Sequence, residues 1–157
     1  MHIKLSVSRV LEQIINSVHV YKVKVRRSRL TLVIVVCAFA TLLLAGLWVA
    51  GGSLCAPVNH VVGAPPADLP ASHVEFASES GSTLRGWLLR GRERLGAVVL
   101  MHGVRADRTS MLGRARFLNT VGYTVLLFDF QAHGESPSAH ITFGHLESLD
   151  ARRALQR

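Results

Sequence analysis

The chain has 157 residues, 49% of them hydrophobic, with 18 Lys and Arg against 10 Asp and Glu for a formal charge of +8. That length admits one domain, and two cysteines are too few for a disulfide scaffold. The charge is uneven: residues 1–29 hold seven Lys and Arg against Glu12, a balance of +6, while the remainder balances 11 Arg against nine acids. A basic arm suits nucleic acid or an anionic membrane surface. No aromatic interleaving or binding module accompanies it here, so no nucleic-acid partner is expected. Neither G-x-G-x-x-G nor a GK[ST] loop occurs, which argues against nucleotide and dinucleotide sites, and no cofactor is expected.

Residues 1–29 form a basic cytoplasmic segment. Ile3, Val7, Val10, Leu11, Ile14, Ile15 and Val18 recur at helical spacing opposite Lys4, Arg9, Glu12, Gln13 and Asn16. The pattern predicts an amphipathic helix that either lies on the inner membrane surface or continues into the next segment. Residues 30–50 read as a transmembrane helix. Thr31–Ala50 is free of charge, and about 20 apolar residues at 1.5 Å each cross a ~30 Å hydrocarbon core. Trp48 sits at the far end, where interfacial aromatics collect. The preceding cations place the N-terminus in the cytoplasm and residues 51–157 on the periplasmic side of an inner membrane, with membrane lipid as the partner. A cleaved signal peptide would have a hydrophobic core of roughly 7–15 residues behind a short leader; this span and its leader are longer, which favours an uncleaved signal-anchor. Cys37 and Cys55 lie too far apart on one helix to pair. Leu54 before Cys55 is too large for a lipid-attachment site.

Residues 51–71 hold four of the five prolines and three glycines and read as a semi-extended linker that lets residues 72–157 stand off the bilayer. "HVEFAS" and "TLRGWLLR", joined by Glu79-Ser80-Gly81-Ser82, predict an antiparallel hairpin. "GAVVLMHGV" and "YTVLLFDFQAHGES" contain uninterrupted apolar runs bounded by turn residues, as strands covered on both faces do. The strands fall at 97–101 and 124–130. Between them a helix near 108–120, capped by Asp107 or Thr109, makes a right-handed β-α-β unit with a parallel pair. Ligands of such sheets sit outside the carboxyl ends of the strands, where "HGV" and "DFQAHGES" lie. A last helix, from about 145 to the terminus, carries Leu146, Leu149, Ala154 and Leu155, with Glu147 and Asp150 expected in solvent or paired with Arg152 and Arg153.

Over residues 72–157 the chain resembles the α/β-hydrolases, most of all membrane-anchored bacterial serine hydrolases of the esterase, acyl-peptidase and serine-aminopeptidase kind. The resemblance rests on "GWLLR", "VVLMHGVRADRTSMLGRARFL", "GYTVLLFDFQAHGES" and "ITFGHLESLDARRAL". Gln131-Ala132 departs from it, since such proteins often carry Arg-Gly there. The implied fold class is α/β: an incomplete α/β-hydrolase sheet of the first four strands and two helices, with order 1-2-4-3, preceded by one transmembrane helix. The strand at 97–101 would then be an apolar edge.

Acyl transfer on this scaffold needs a nucleophile on a sharp strand-to-helix turn, a histidine base oriented by an acid, and two N–H donors for the oxyanion. The resemblance implies that the loop after residue 101 supplies the first donor, the N–H of Val104, with Gly103 letting the backbone approach the ligand. His102, Asp129, His133, Gly134 and Ser136 are then loop-bracing residues. The nearest match to G-x-S-x-G is Gly134-Glu135-Ser136-Pro137-Ser138, which lacks the last glycine, follows the wrong strand and has a proline where a helix should start. The expectation is therefore that no catalytic triad residue lies within the chain. Nucleophile, acid and base would come after Arg157, the chain alone would be inactive, and a small-molecule or peptide substrate would bind only with the C-terminal half present. His133, His140 and His145 fit no zinc spacing, so no metal is expected. The competing reading is a non-catalytic membrane-anchored binding or assembly module built on half a hydrolase fold.

Overall fold

The computed structural model describes residues 2–157. The side chains of residues 2–8, 23 and 25 lie outside that description, and with them Ile3, Lys4 and Val7 of the amphipathic stripe. Two compact units are present, Met1–Ala50 and Gly51–Arg157.

The first unit is helical, and helix α1 runs without a break over His2–Cys55. It includes one stretch long and apolar enough to cross a membrane. Thr31 and Thr41 return their hydroxyls to the carbonyls of Arg27 (3.0 Å) and Cys37 (2.9 Å), so neither leaves an unpaired polar group on the apolar surface. The helix passes through Gly51 and Gly52 and stops at Cys55, one residue short of the Ala56-Pro57 pair that cannot continue it. The expected start of the linker at residue 51 is corrected by these five helical residues.

The rest of that linker is not a free spacer. Val58–Asn59 (β1) pairs in parallel with His133–Gly134 (β6). Leu69 is buried in the apolar core. Asp68 meets Arg116 at 2.7 Å, and its carboxyl is held below the usual range by that guanidinium. Apolar Val62 and Leu69 give the segment something to bury, and that outweighs the stiffness its prolines confer.

The second unit is built on a four-stranded sheet of order β2-β3-β5-β4, made of β2 (Ala71–Ala77), β3 (Thr83–Leu89), β4 (Ala97–Met101) and β5 (Thr124–Phe128). β2 and β3 form the hairpin, in register from Ala71 opposite Leu89 to Ala77 opposite Thr83. β5 lies antiparallel to β3 and parallel to β4. Gly86 is required where β3 meets β5, because a Cβ there would lie 2.3 Å from the carbonyl oxygen of Leu127. A 3-10 turn, Arg108–Met111, leads into α2 (Leu112–Val121), and Asp107 caps it by accepting from the Thr109 N–H. Gly122 ends α2 in the left-handed region, φ 114°.

The period-2 alternation of the strands splits the core into two layers. Trp87, Leu89, Val125 and Leu127 face α2 through Ala115, while Phe76, Leu84, Leu126 and Phe128 face the final helix α3 (Glu147–Leu155) through Ala154. α3 departs from expectation in two ways. Leu155 is exposed, and Glu147 and Asp150 are buried rather than solvated or paired with Arg152 and Arg153. β4 is also not covered on both faces: its centre is half-buried and Met101 is exposed. It has a ladder partner on one side only, which is the reason.

Candidate active site

The carboxyl ends of β4 and β5 are held together by buried polar groups. His102 follows β4. Its Nδ1 lies 2.8 Å from the Gly103 carbonyl, and its Nε2 accepts from the Phe130 N–H at 3.1 Å. Burial holds its pKa below the ordinary value, and the contacts fit a neutral ring protonated on Nδ1. His133 repeats the arrangement from the other loop. Its Nδ1 is 2.8 Å from the Gln131 carbonyl, and its Nε2 accepts from the Arg105 N–H at 3.0 Å. The two rings lie 5.0 Å apart. Each imidazole ties the loop after one strand to the loop after the other.

Beneath them lies an ion network. Arg108 is 1% exposed. Its Nη1 donates to Asp129 Oδ2 at 2.7 Å, its Nη2 donates to Glu135, and its guanidinium carbon sits 4.5 Å over the Trp87 ring. Asp129 Oδ1 also accepts from the Arg108 N–H at 2.8 Å, and Oδ2 from the Glu135 N–H at 3.0 Å. Asp129 thus fixes both loops at the end of β5. Gly134 is required beside it, because a Cβ would meet Asp129 Oδ2 at 2.3 Å and φ is +46°. Ser136 is fully buried; its hydroxyl donates to the Asp129 carbonyl at 2.7 Å and accepts from the Arg85 N–H at 2.9 Å. With both functions committed and no exposure, it is not placed to attack a substrate.

A second buried cluster was not legible as such in the sequence. Gln131 donates from Nε2 to Glu147 Oε1 at 2.9 Å, and its own N–H is accepted by Asp150 Oδ2 at 2.9 Å. Glu147 further accepts from the Thr142 N–H (2.9 Å) and hydroxyl (2.6 Å) and from the Gly144 N–H (2.8 Å). Burial alone would raise its pKa. The Thr142 hydroxyl and N–H groups outweigh that and bring it down to about 2. Gln131-Ala132, the departure from the family pattern, therefore sits at a hub: Gln131 carries the network, and Ala132 occupies a left-handed φ of 60°. The "ITFGHLESLD" run was the available signal, since Thr142, Gly144, Glu147 and Asp150 are its polar contacts.

Residues 53–63 are bonded to the same loops. Arg105 Nη1 donates to the Ser53 carbonyl at 3.2 Å, the Ile141 N–H to the Cys55 carbonyl at 2.8 Å, and Asn59 Nδ2 to the Ser136 carbonyl at 2.8 Å. Glu135 Oε1 accepts from the N–H groups of Val62 (3.0 Å) and Gly63 (2.9 Å). Burial would raise the Glu135 pKa, but Arg108 and these two donors hold it low. His60 Nδ1 is 3.0 Å from the Val58 carbonyl and Nε2 is 3.0 Å from Asp107. These two contacts raise its pKa.

Amid this bonding, the turn after β4 stays open. Gly103 and Val104 are exposed, and their N–H groups find no acceptor among the described residues. A Cβ on Gly103 would meet no atom of the chain within 4 Å. The next N–H, that of Arg105, is taken by His133, which sets Arg105 in the left-handed region at φ 60°. Two free donors on a rigid turn at a strand's carboxyl end can hold an oxygen anion. His140 and His145 are exposed and join no group suited to a metal among the described residues.

No family model matches the chain. A polyketide transferase of Penicillium sp. is 36% identical over 69 residues, which is 43% of this chain and 24% of the relative. Among solved structures, an esterase of Pyrococcus furiosus superposes with a TM-score of 0.58 at 30% identity, covering 66% of this chain and 41% of the esterase. The α/β-hydrolase GrgF of Penicillium sp. sh18 gives a TM-score of 0.51 at 29% identity, with 56% of this chain and 32% of GrgF covered. The chain thus spans about a quarter of the curated relative and two fifths of the esterase. These likenesses establish a relation to the α/β-hydrolases, with a partial sheet of that fold.

Proposed function

We propose that the chain is the membrane-anchored, oxyanion-loop half of an α/β-hydrolase-type serine hydrolase of the bacterial kind, a family that cleaves ester or peptide bonds by acyl transfer. One observation supports the reading: the N–H groups of Gly103 and Val104 find no acceptor among the described residues, while His102, His133 and Arg108 beside them are bonded. A donor of this type is typically worth about 2.7–4 kcal/mol of barrier, but only against a carbonyl that a nucleophile attacks. No G-x-S-x-G occurs in the 157 residues, and Ser136, in the nearest match, is buried and doubly bonded. The nucleophile, acid and base are therefore assigned to chain beyond these residues, and this half alone is inactive. The long apolar helix and the seven cations before it support a single-pass anchor with the N-terminus in the cytoplasm and the hydrolase half on the far side.

Two assays test the reading. Under alkaline carbonate extraction the protein stays with the membrane; recovery of the intact chain in the soluble fraction removes the anchor. Exposed to a fluorophosphonate probe, residues 1–157 stay unlabelled, and stoichiometric labelling at any serine overturns the assignment of the chemistry to another segment.

A further inference from the structure

We infer that the loop face carrying Val104 and Phe143 lies against the lipid surface from which the chain emerges, so that the free N–H groups of Gly103 and Val104 open at the bilayer. This rests on the proposed anchor and extends it from attachment to placement.

Chain length supplies the first argument, independent of how the helix is oriented. Ser53 is three residues past Ala50, hence at most about 11 Å from the end of the apolar run. The Ser53 carbonyl accepts from Arg105, and the Cys55 carbonyl accepts from the Ile141 N–H. Both loops are therefore fastened within a few residues of the span.

Those loops display apolar tips. Val104 is 57% exposed and Phe143 56%. Phe143 adopts φ 50°, an unfavourable conformation for a bulky residue. The Glu147 carboxylate imposes it by gripping the N–H groups of Thr142 and Gly144 on either side. Val104 precedes Arg105, whose left-handed backbone is gripped by His133. Buried clamps thus present an apolar tip on each loop, and backbone strain maintained in this way points to function.

Charge completes the match. The acids of these loops are paired within the chain: Asp129 and Glu135 to Arg108, Asp107 at the surface to His60 and Thr109, and Glu147 to N–H and hydroxyl donors. Arg105, His140 and His145 are left exposed. Apolar tips beside an exposed arginine, with the nearby carboxylates already paired, are what an anionic leaflet attracts.

Dye-labelled single cysteines at Val104, Phe143 and, as a control, Arg94 report the placement, each in the full chain with Cys37 and Cys55 changed to Ser. Arg94 lies in the loop before β4, at the opposite ends of the parallel strands. The protein is reconstituted in phosphatidylglycerol-containing vesicles with brominated acyl chains as quenchers. The expected result is severalfold stronger quenching at 104 and 143 than at 94. Equal quenching at all three sites, stronger quenching at 94, or none at any site in protein that resists carbonate extraction would overturn the placement and leave the anchor standing. Protein released by carbonate would remove the anchor and this inference together.

Discussion

β4 and β5 are five-residue apolar strands of nearly interchangeable composition, "AVVLM" and "TVLLF", yet they meet opposite environments. Val125 through Phe128 are all buried, whereas Val98 through Leu100 are half-buried and Met101 is exposed. β5 has β3 on one side and β4 on the other, while β4 has one neighbour. The difference extends past the strand ends. Asp129, after β5, anchors the Arg108 network, and the turn after β4 keeps two N–H groups free. Sheet order among the described residues, rather than side-chain hydrophobicity, decides how deeply each strand is buried.

The largest test of that contrast is Arg108→Met, which strands Asp129 and Glu135 without their cation. Breaking a buried pair from one side costs about 3–5 kcal/mol, read as a lowered urea midpoint for the full chain in micelles. Leu127→Ala in β5, at 0% exposure, should cost about 2–5 kcal/mol. Leu100→Ala, the residue of β4 paired with Leu127, should cost about 1 kcal/mol, since its burial is partial; equal losses would erase the asymmetry. Acid should act through Glu147, whose folded pKa of about 2 lies below the ordinary 4.5. A carboxylate lowered on folding stabilises above its unfolded pKa, so about 3 kcal/mol is lost as pH falls from 4.5 towards 2. Glu147→Gln should flatten that window in acid unfolding curves. The smallest effect belongs to His60→Ala, which breaks an exposed pair worth at most about 1 kcal/mol. Because the His60 pKa is raised, its contribution is complete below about 6.5 and fades as pH rises through the folded value.

The hairpin, both parallel strands and α2 were legible because each depends on local pattern: alternation, apolar runs, and Asp107 before a helix. The edge position of the strand at 97–101 came from the resemblance, and the sheet order agrees with it. What the sequence hid was long-range bonding. Pro65, Pro66 and Pro70 advertise a spacer, and no local rule announces that Val58 and Asn59 pair with a loop some 75 residues on. Glu147 and Asp150 look solvated because charges usually are. Their burial depends on Gln131 and Thr142, which satisfy them only once the loop is closed. At the site, the glycine of "HGV" and the residue after it were picked out by resemblance, but that their N–H groups lack an acceptor among the described residues, while His133 takes the Arg105 N–H, is visible only in the fold.

Amide hydrogen exchange, read residue by residue by NMR on the full chain in micelles, tests the preformed turn most directly. The N–H groups of Arg105, held by His133, and of Arg108, held by Asp129, should be protected, while those of Gly103 and Val104 exchange at near-unhindered rates. Protection of Val104 equal to that of Arg105, or four equally fast amides, would contradict a rigid turn holding two free donors.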